Sequence, residues 1–157
     1  TMTKFQLPPG THAWMGVVAR SHVERGVAGG FAQVCHGRRA PLERTRTGDY
    51  LVYYSATTEY RGGEPLRAFT ALGRVQGEQT YSHDMGDGFV PFRKEVSYLH
   101  GVHAAEIRPL LTHLHFVQQQ ANWGLLLRRG HFEIDAHDLA LIASAMGCAT
   151  AQLALSY

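Results

Sequence analysis

Two places in the sequence set a nucleophile type beside a base type, Ser21-His22 and Cys35-His36. Proton transfer from hydroxyl or thiol to imidazole needs the two groups face to face, and side chains of adjacent residues seldom meet that way. Neither pair therefore reads as a catalytic dyad, and Cys35 reads as a small buried hydrophobe. His100-Gly-Val-His103 and His113-Leu-His115 offer imidazole nitrogens, but no third ligand stands at a recognised spacing such as HExxH. No metal site is expected. No GxGxxG or GxxxxGKS/T stretch supplies a phosphate-cradling loop, so no cofactor is expected either.

The residue types that remain suit recognition. Tyr53, Tyr54 and Ser55 end an apolar run, where a ring can be exposed on a rigid scaffold beside a hydroxyl able to hydrogen-bond a ligand. Strand alternation sends the two tyrosines to opposite faces, so at most one lines a given pocket. Trp14 and Trp123 could stack on a planar base, although an isolated Trp is more often core. His22, Gln33 and His36 add donors and acceptors of the kind that read a base edge.

These side chains need elements to hold them. Trp14 to Ala19 is a short β-branched run that predicts a first strand, whereas Ser21 to Gly30, with three glycines, predicts a break in regular structure. Phe31 to Cys35 predicts a short helix or strand. Thr47-Gly48-Asp49 is a turn signal before the strand Tyr50 to Ser55, and Ala68 to Val75 predicts its hairpin partner across a long loop. Phe89 to Tyr98 alternates as another strand, with Pro91 placing it at an edge or start. Ile107, Leu110, Leu111 and Leu114 are spaced for a short amphipathic helix. Trp123 to Leu127 and Gly130 to Ile134 predict closing strand or turn elements. Asp135 caps a last helix carrying Leu139, Ile142, Ala143 and Met146, with Gly147 as its stop. Short strands interrupted by a few helices imply an α+β fold on a curved or closed sheet.

The 157 residues, 45% hydrophobic and 18% charged, suit one domain spanning 1–157 that folds without disulfides. A formal charge of +2 excludes a generally basic nucleic-acid surface and leaves only local contacts. Cys35 and Cys148 form no CxxC pair and no secreted disulfide framework. The opening Thr1-Met2-Thr3-Lys4 carries no apolar signal segment, and no window nears the roughly 20 apolar residues of a membrane span. A cytoplasmic protein without membrane contact is expected.

An ordered set of blocks resembles the EVE domain family. It runs through Trp14 to Val18, Gly29 to Arg38, Gly48 to Ser55, Phe69 to Val75, Phe89 to Arg93, Ile107 to Leu111, Asn122-Trp123-Gly124 and Arg129 to Ile134. The likeness covers about Trp14 to Met146. It implies a PUA-like fold, a barrel-like mixed sheet with peripheral helices, related to YTH and ASCH domains. It also implies a modified base in DNA or RNA as ligand, which makes the protein a binding module more readily than an enzyme. Carried over residue by residue, the base pocket would involve Ser21, His22, Phe31, Gln33, Tyr53, Tyr54, Ser55 and Trp123. Arg38 stands where the family often has Lys, and Ala32 where YTH relatives place a cage aromatic. Arg20, Arg38, Arg39 and Arg93, with Arg44 and Arg46, are candidates for phosphate contact. The other readings left open are a sensor of free nucleosides and, by likeness to ASCH domains, an amide hydrolase acting on a modified nucleoside.

Overall fold

The computed structural model describes residues 5–155, so the opening Thr1-Met2-Thr3-Lys4 lies outside the described residues. The strands are β1 (Ala13–Val17), β2 (Phe31–Ala32), β3 (Tyr50–Thr57), β4 (Pro65–Val75), β5 (Tyr81–Ser82), β6 (Phe92–Tyr98), β7 (Ala105–Glu106) and β8 (His131–Ile134). The α-helices are α1 (Arg20–Gly29), α2 (Arg39–Glu43), α3 (His115–Gln118), α4 (Gly124–Arg129), α5 (Ala136–Ala145) and α6 (Thr150–Leu155).

The strands form a mixed, curled sheet in the order β2-β6-β4-β3-β1-β8, with β5 added to β6 and β7 to β4. Only β1 and β3 run parallel among these pairs. A parallel pair needs a crossover rather than a tight turn, and the segment carrying α1, β2 and α2 supplies it. That crossover overhangs one face of the sheet and builds the site described below.

Both faces of the central strands are covered, which explains the unbroken apolar run at the start of β3. One core holds Met15, Val52, Tyr54, Leu72, Phe132, Leu139 and Ile142; the other, under the crossover, holds Trp14, Val23, Leu42, Leu51, Tyr53, Val96 and Tyr98. Tyr53 and Tyr54 thus part to opposite faces as alternation requires. A bulge between Tyr53 and Tyr54 leaves Thr70 of β4 out of the ladder, and its hydroxyl meets Ser55 Oγ at 2.8 Å. Lys94 is buried, and its three N–H donors find Leu42 O, Thr45 O and Thr45 Oγ1 at 2.7–3.2 Å, tying the loop after α2 to β6.

Three expectations from the sequence are corrected. Ser21 to Gly29 is regular, lying in helix α1, and the break falls only at Gly30, which ends the helix at a φ of 72°; Gly26 is there for close packing, since a Cβ would sit 2.7 Å from Phe31 O. Trp123 to Leu127 opens helix α4 instead of a strand, with Leu126 and Leu127 packed on the core. The helix expected over Ile107 to Leu114 is a single 3-10 turn at Arg108–Leu110, after which the chain reopens as α3. The reason lies elsewhere in the chain. The buried carboxylate of Asp138 accepts the N–H groups of His115 and Phe116 at 2.7 and 2.9 Å, which fixes a new helix start there. Asp135 caps α5 as expected, its Oδ1 accepting the Asp138 N–H at 2.9 Å. Cys35 and Cys148 are both free, and no helix among the described residues is long and apolar enough to cross a membrane.

Candidate functional site

A cleft of about 700 Å³ opens beside the end of β1, between the crossover, the β5–β6 hairpin and the end of α4. Tyr53 reaches it from β3. Its ring is buried, packs on Tyr98 at 6.3 Å between centroids, and its hydroxyl accepts the backbone N–H of Gln33 at 3.3 Å. Tyr98 donates to Phe31 O at 2.8 Å. Two tyrosines therefore anchor the backbone of residues 31–33 to the sheet. Burial pushes the Tyr53 hydroxyl up to about 12, so it stays protonated and able to donate.

Past Val34 the chain makes a left-handed turn, with φ of 50° at Cys35, 59° at His36 and 82° at Gly37. The first two bear side chains, for which this region costs roughly 1–3 kcal/mol each, so neighbouring structure must hold the turn. Gly37 allows it, because a Cβ there would meet Pro91 Cα at 2.8 Å. Cys35 Sγ donates to Arg129 O at 3.3 Å, and burial pushes its thiol up, away from the reactive thiolate. The turn presents His36 edge-on to Tyr60, at 5.4 Å and 71°, while His22 of α1 lies 6.1 Å from the same ring. Burial first, and then the Arg25 guanidinium, hold the His22 imidazole below its ordinary range and so neutral near pH 7.

Opposite these rings stands Arg93. Its guanidinium carbon lies 3.8 Å from the Phe31 ring centroid, Nε donates to Gln33 Oε1 at 3.0 Å, and Nη2 donates to Met85 Sδ at 3.2 Å. The hairpin beyond is turned by Asp84 and Asp87, whose Oδ1 atoms accept the N–H groups of Gly86 and Phe89, and it brings half-exposed Met85 and Phe89 to the cleft. Arg25, Arg38, Arg128 and Arg129 also line it, against one carboxylate, Asp87.

Of the residues the sequence singled out for recognition, His22, Phe31, Gln33, His36, Tyr53, Arg38 and Arg93 come together in this cleft, whereas Ser21, Tyr54, Ser55, Trp14, Trp123, Arg20, Arg39, Arg44 and Arg46 do not line it. Tyr54 packs edge-on to Phe69 at 5.7 Å in the opposite core, and Ser55 is buried against Thr70. Trp123 packs on that same core. Ser21 Oγ is buried with no hydrogen-bond partner among the described residues. Arg20 pairs with Glu24 at 3.5 Å on the exposed side of α1, and Arg39 pairs with Glu43. Trp14 takes its core role, donating from Nε1 to Asp49 at 2.9 Å and stacking on His131 at 5.1 Å, with the Arg44 guanidinium carbon 5.3 Å from its ring centroid. The sequence reading missed Arg25, Tyr60, Met85, Phe89, Arg128 and Arg129. The one local signal was Tyr60-Arg61 ahead of Gly62-Gly63, a ring and a cation at a loop tip.

A second polar cluster lies away from the cleft, where His115 meets Asp135, His137 and Asp138 with candidate ligand atoms within 4.8 Å of one another. Spacing gave no hint of it. Each imidazole Nδ1 already faces a carboxylate, at 2.7 Å for His115–Asp135 and 3.0 Å for His137–Asp138. The two rings stack at 3.8 Å and 7°, so one ion between them would lie in the plane of neither, a poor arrangement for imidazole coordination. The hydrogen bond to Asp135 raises the His115 pKa.

Residues 12–145 match the EVE domain. A Bacillus subtilis protein described as UPF0310 protein YdcG is 43% identical over 145 residues, covering 92% of this chain and 99% of its own. UPF0310 protein msl3206 of Mesorhizobium japonicum is 48% identical over 136 residues, covering 85% and 91%. Among solved structures, a hypothetical protein from Leishmania major superposes with a TM-score of 0.56 at 14% identity, covering 85% of this chain and 93% of that one. The YTH domain of the Zygosaccharomyces rouxii MRB1 protein, in complex with N6-methyladenosine RNA, superposes with a TM-score of 0.52 at 11% identity, covering 80% and 87%. These structural likenesses are of fold alone, a curled α+β sheet with peripheral helices.

Proposed function

The chain belongs to the EVE domain family, and on that premise we propose that its cleft receives one modified nucleobase displaced from a DNA or RNA strand and binds it without turnover. One observation carries the reading: a cleft of about 700 Å³, with room for a base and the sugar and phosphates beside it, lined by Phe31, Tyr53 and Tyr60 and ringed by arginines. A flat ring beside a base contributes about 1–3 kcal/mol through stacking, whichever base it is. Phosphates on either side of the displaced base suit Arg25, Arg38, Arg128 and Arg129, which act by charge and not by sequence. The YTH domain that shares the fold was solved with N6-methyladenosine RNA, which supports a methylated base in nucleic acid as the ligand class.

The cleft chemistry favours binding over hydrolysis. Cys35 is its one thiol, raised in pKa and turned onto Arg129 O, and Ser21 Oγ is not in the lining. The two free cysteines suit a cytosolic location. The test is titration of matched oligonucleotides, with and without one modified base, at low and high salt, with mass spectrometry of the recovered ligand. Tighter binding of a modified strand with an unchanged ligand is expected. A free nucleoside bound as tightly as the strand would replace the reader with a nucleoside sensor, and a changed ligand mass would replace it with an enzyme.

A further inference from the structure

The carboxamide of Gln33 has two ends alike in shape and opposite in sense, an oxygen that accepts and an NH2 that donates. Arg93 decides which end faces the cleft. A guanidinium has five N–H donors and no acceptor, and its Nε lies 3.0 Å from Gln33 Oε1. Turning the amide round would set NH2 against N–H, donor against donor, so the orientation follows from chemistry. Arg93 is itself held on three sides, by the Phe31 ring, Met85 Sδ and Gln33. The strand register adds to this, because β2 and β6 pair Phe31 with Glu95 and Ala32 with Lys94, which sets Gln33 and Arg93 opposite one another at the next step. The backbone N–H of Gln33 is spoken for by the Tyr53 hydroxyl.

We infer that Gln33, oriented by Arg93, reads a carbonyl group on the bound base and disfavours an exocyclic amine at the same edge. This rests on the reading of the cleft as a base pocket. The wall formed by Gln33 and Arg93 consists of donors, and a carbonyl oxygen, with two lone pairs, can take two of them, whereas a ring nitrogen offers one. Gln33 is then the specificity residue, and Arg93 the positioning residue that gives it one sense.

The experiment uses the full chain and oligonucleotides of about 12 nucleotides, each with one probe base: 5-methyluracil, its 2-thio and 4-thio forms, 5-methylcytosine, hypoxanthine, 6-thiohypoxanthine, N6-methyladenine or an abasic control. Sulfur keeps the shape of the carbonyl and accepts hydrogen bonds weakly. The expected result is a loss of about tenfold in affinity for one thio exchange, the worth of about one hydrogen bond. Gln33→Glu, which pairs with Arg93 but has no N–H, should lose that sensitivity. Arg93→Met frees the amide to turn and should shrink the ratio between carbonyl and amine bases, whereas Arg93→Lys, also a pure donor, should restore it; circular dichroism checks that each variant folds. If no probe binds above the abasic strand, the base-pocket reading itself fails. If probes bind but every thio exchange is neutral, or N6-methyladenine binds best and Gln33→Glu leaves it unchanged, the inference fails while the pocket stands. A ratio unchanged in Arg93→Met removes Arg93 from the positioning role.

Discussion

Tyr60 and His36 stand edge to face, their ring centroids 5.4 Å apart at 71°, so the exposed β3–β4 loop meets the left-handed turn that follows Val34. Neither ring is sealed in a core, and both line the cleft. Tyr60→Ala should therefore weaken binding of a modified oligonucleotide by about 1–3 kcal/mol if that ring stacks on the base. Because Tyr60 is 54% exposed, the urea midpoint should scarcely move. Titration and urea unfolding of the same variant check the two halves.

The turn itself depends on Gly37. Gly37→Ala puts a Cβ against Pro91 at a φ of 82°, where side chains are strained. A loss of about 1–3 kcal/mol in stability is expected. Displacement of His36 and the hairpin should add a larger loss in binding than stability alone explains. Denaturant titration beside ligand titration measures both.

Stability should fall on the acid side through His131. Burial first, and then the Arg44 guanidinium, push its pKa down to about 4, and its Nδ1 faces Arg44 Nη2 at 3.1 Å. The unfolded chain takes up this proton near 6.5, while the folded protein resists until about 4. The contribution is therefore full above pH 6.5 and lost as pH falls from 6.5 through about 4, on the order of 3 kcal/mol at most. His12, raised chiefly by its hydrogen bond to Glu133, works in the opposite sense: it stabilises below pH 6.5 and ceases to as pH rises through its own value. That pair is exposed, and solvent screens it. Unfolding free energies of wild type and His131→Asn between pH 7.5 and 4.5 should diverge in slope, with the variant flatter.

Salt should separate the strand from its base. Oligonucleotide affinity should fall as salt rises, and Arg128→Ala with Arg129→Ala should flatten the slope of log affinity against log salt by up to about 1.4 on a single strand. Affinity for the matching free nucleoside should change little. Equal slopes for wild type and double variant would remove these arginines from phosphate contact.

Local chemistry was legible in the chain. Alternation sent Tyr53 and Tyr54 to opposite faces, Asp135 was readable as a cap, and Pro91 marked the approach to β6, because each depends on a few neighbouring residues and the backbone period. Glycine misled at α1, since Gly26 there answers to Phe31 O, a packing partner that propensity does not see. The cleft was another matter. Gln33 and Arg93 are 60 positions apart, as the hydrogen bond between them records, and Cys35 and Arg129 are 94 apart. Types such as His22, Phe31, Gln33 and Tyr53 were visible in sequence, but their meeting, and the exclusion of Tyr54, Ser55 and Trp123, waited on strand pairing and on a crossover folded over one face of the sheet. The sense in which Gln33 points was decided last of all, because an amide has two hydrogen-bonding faces and only a neighbour across the fold can choose between them.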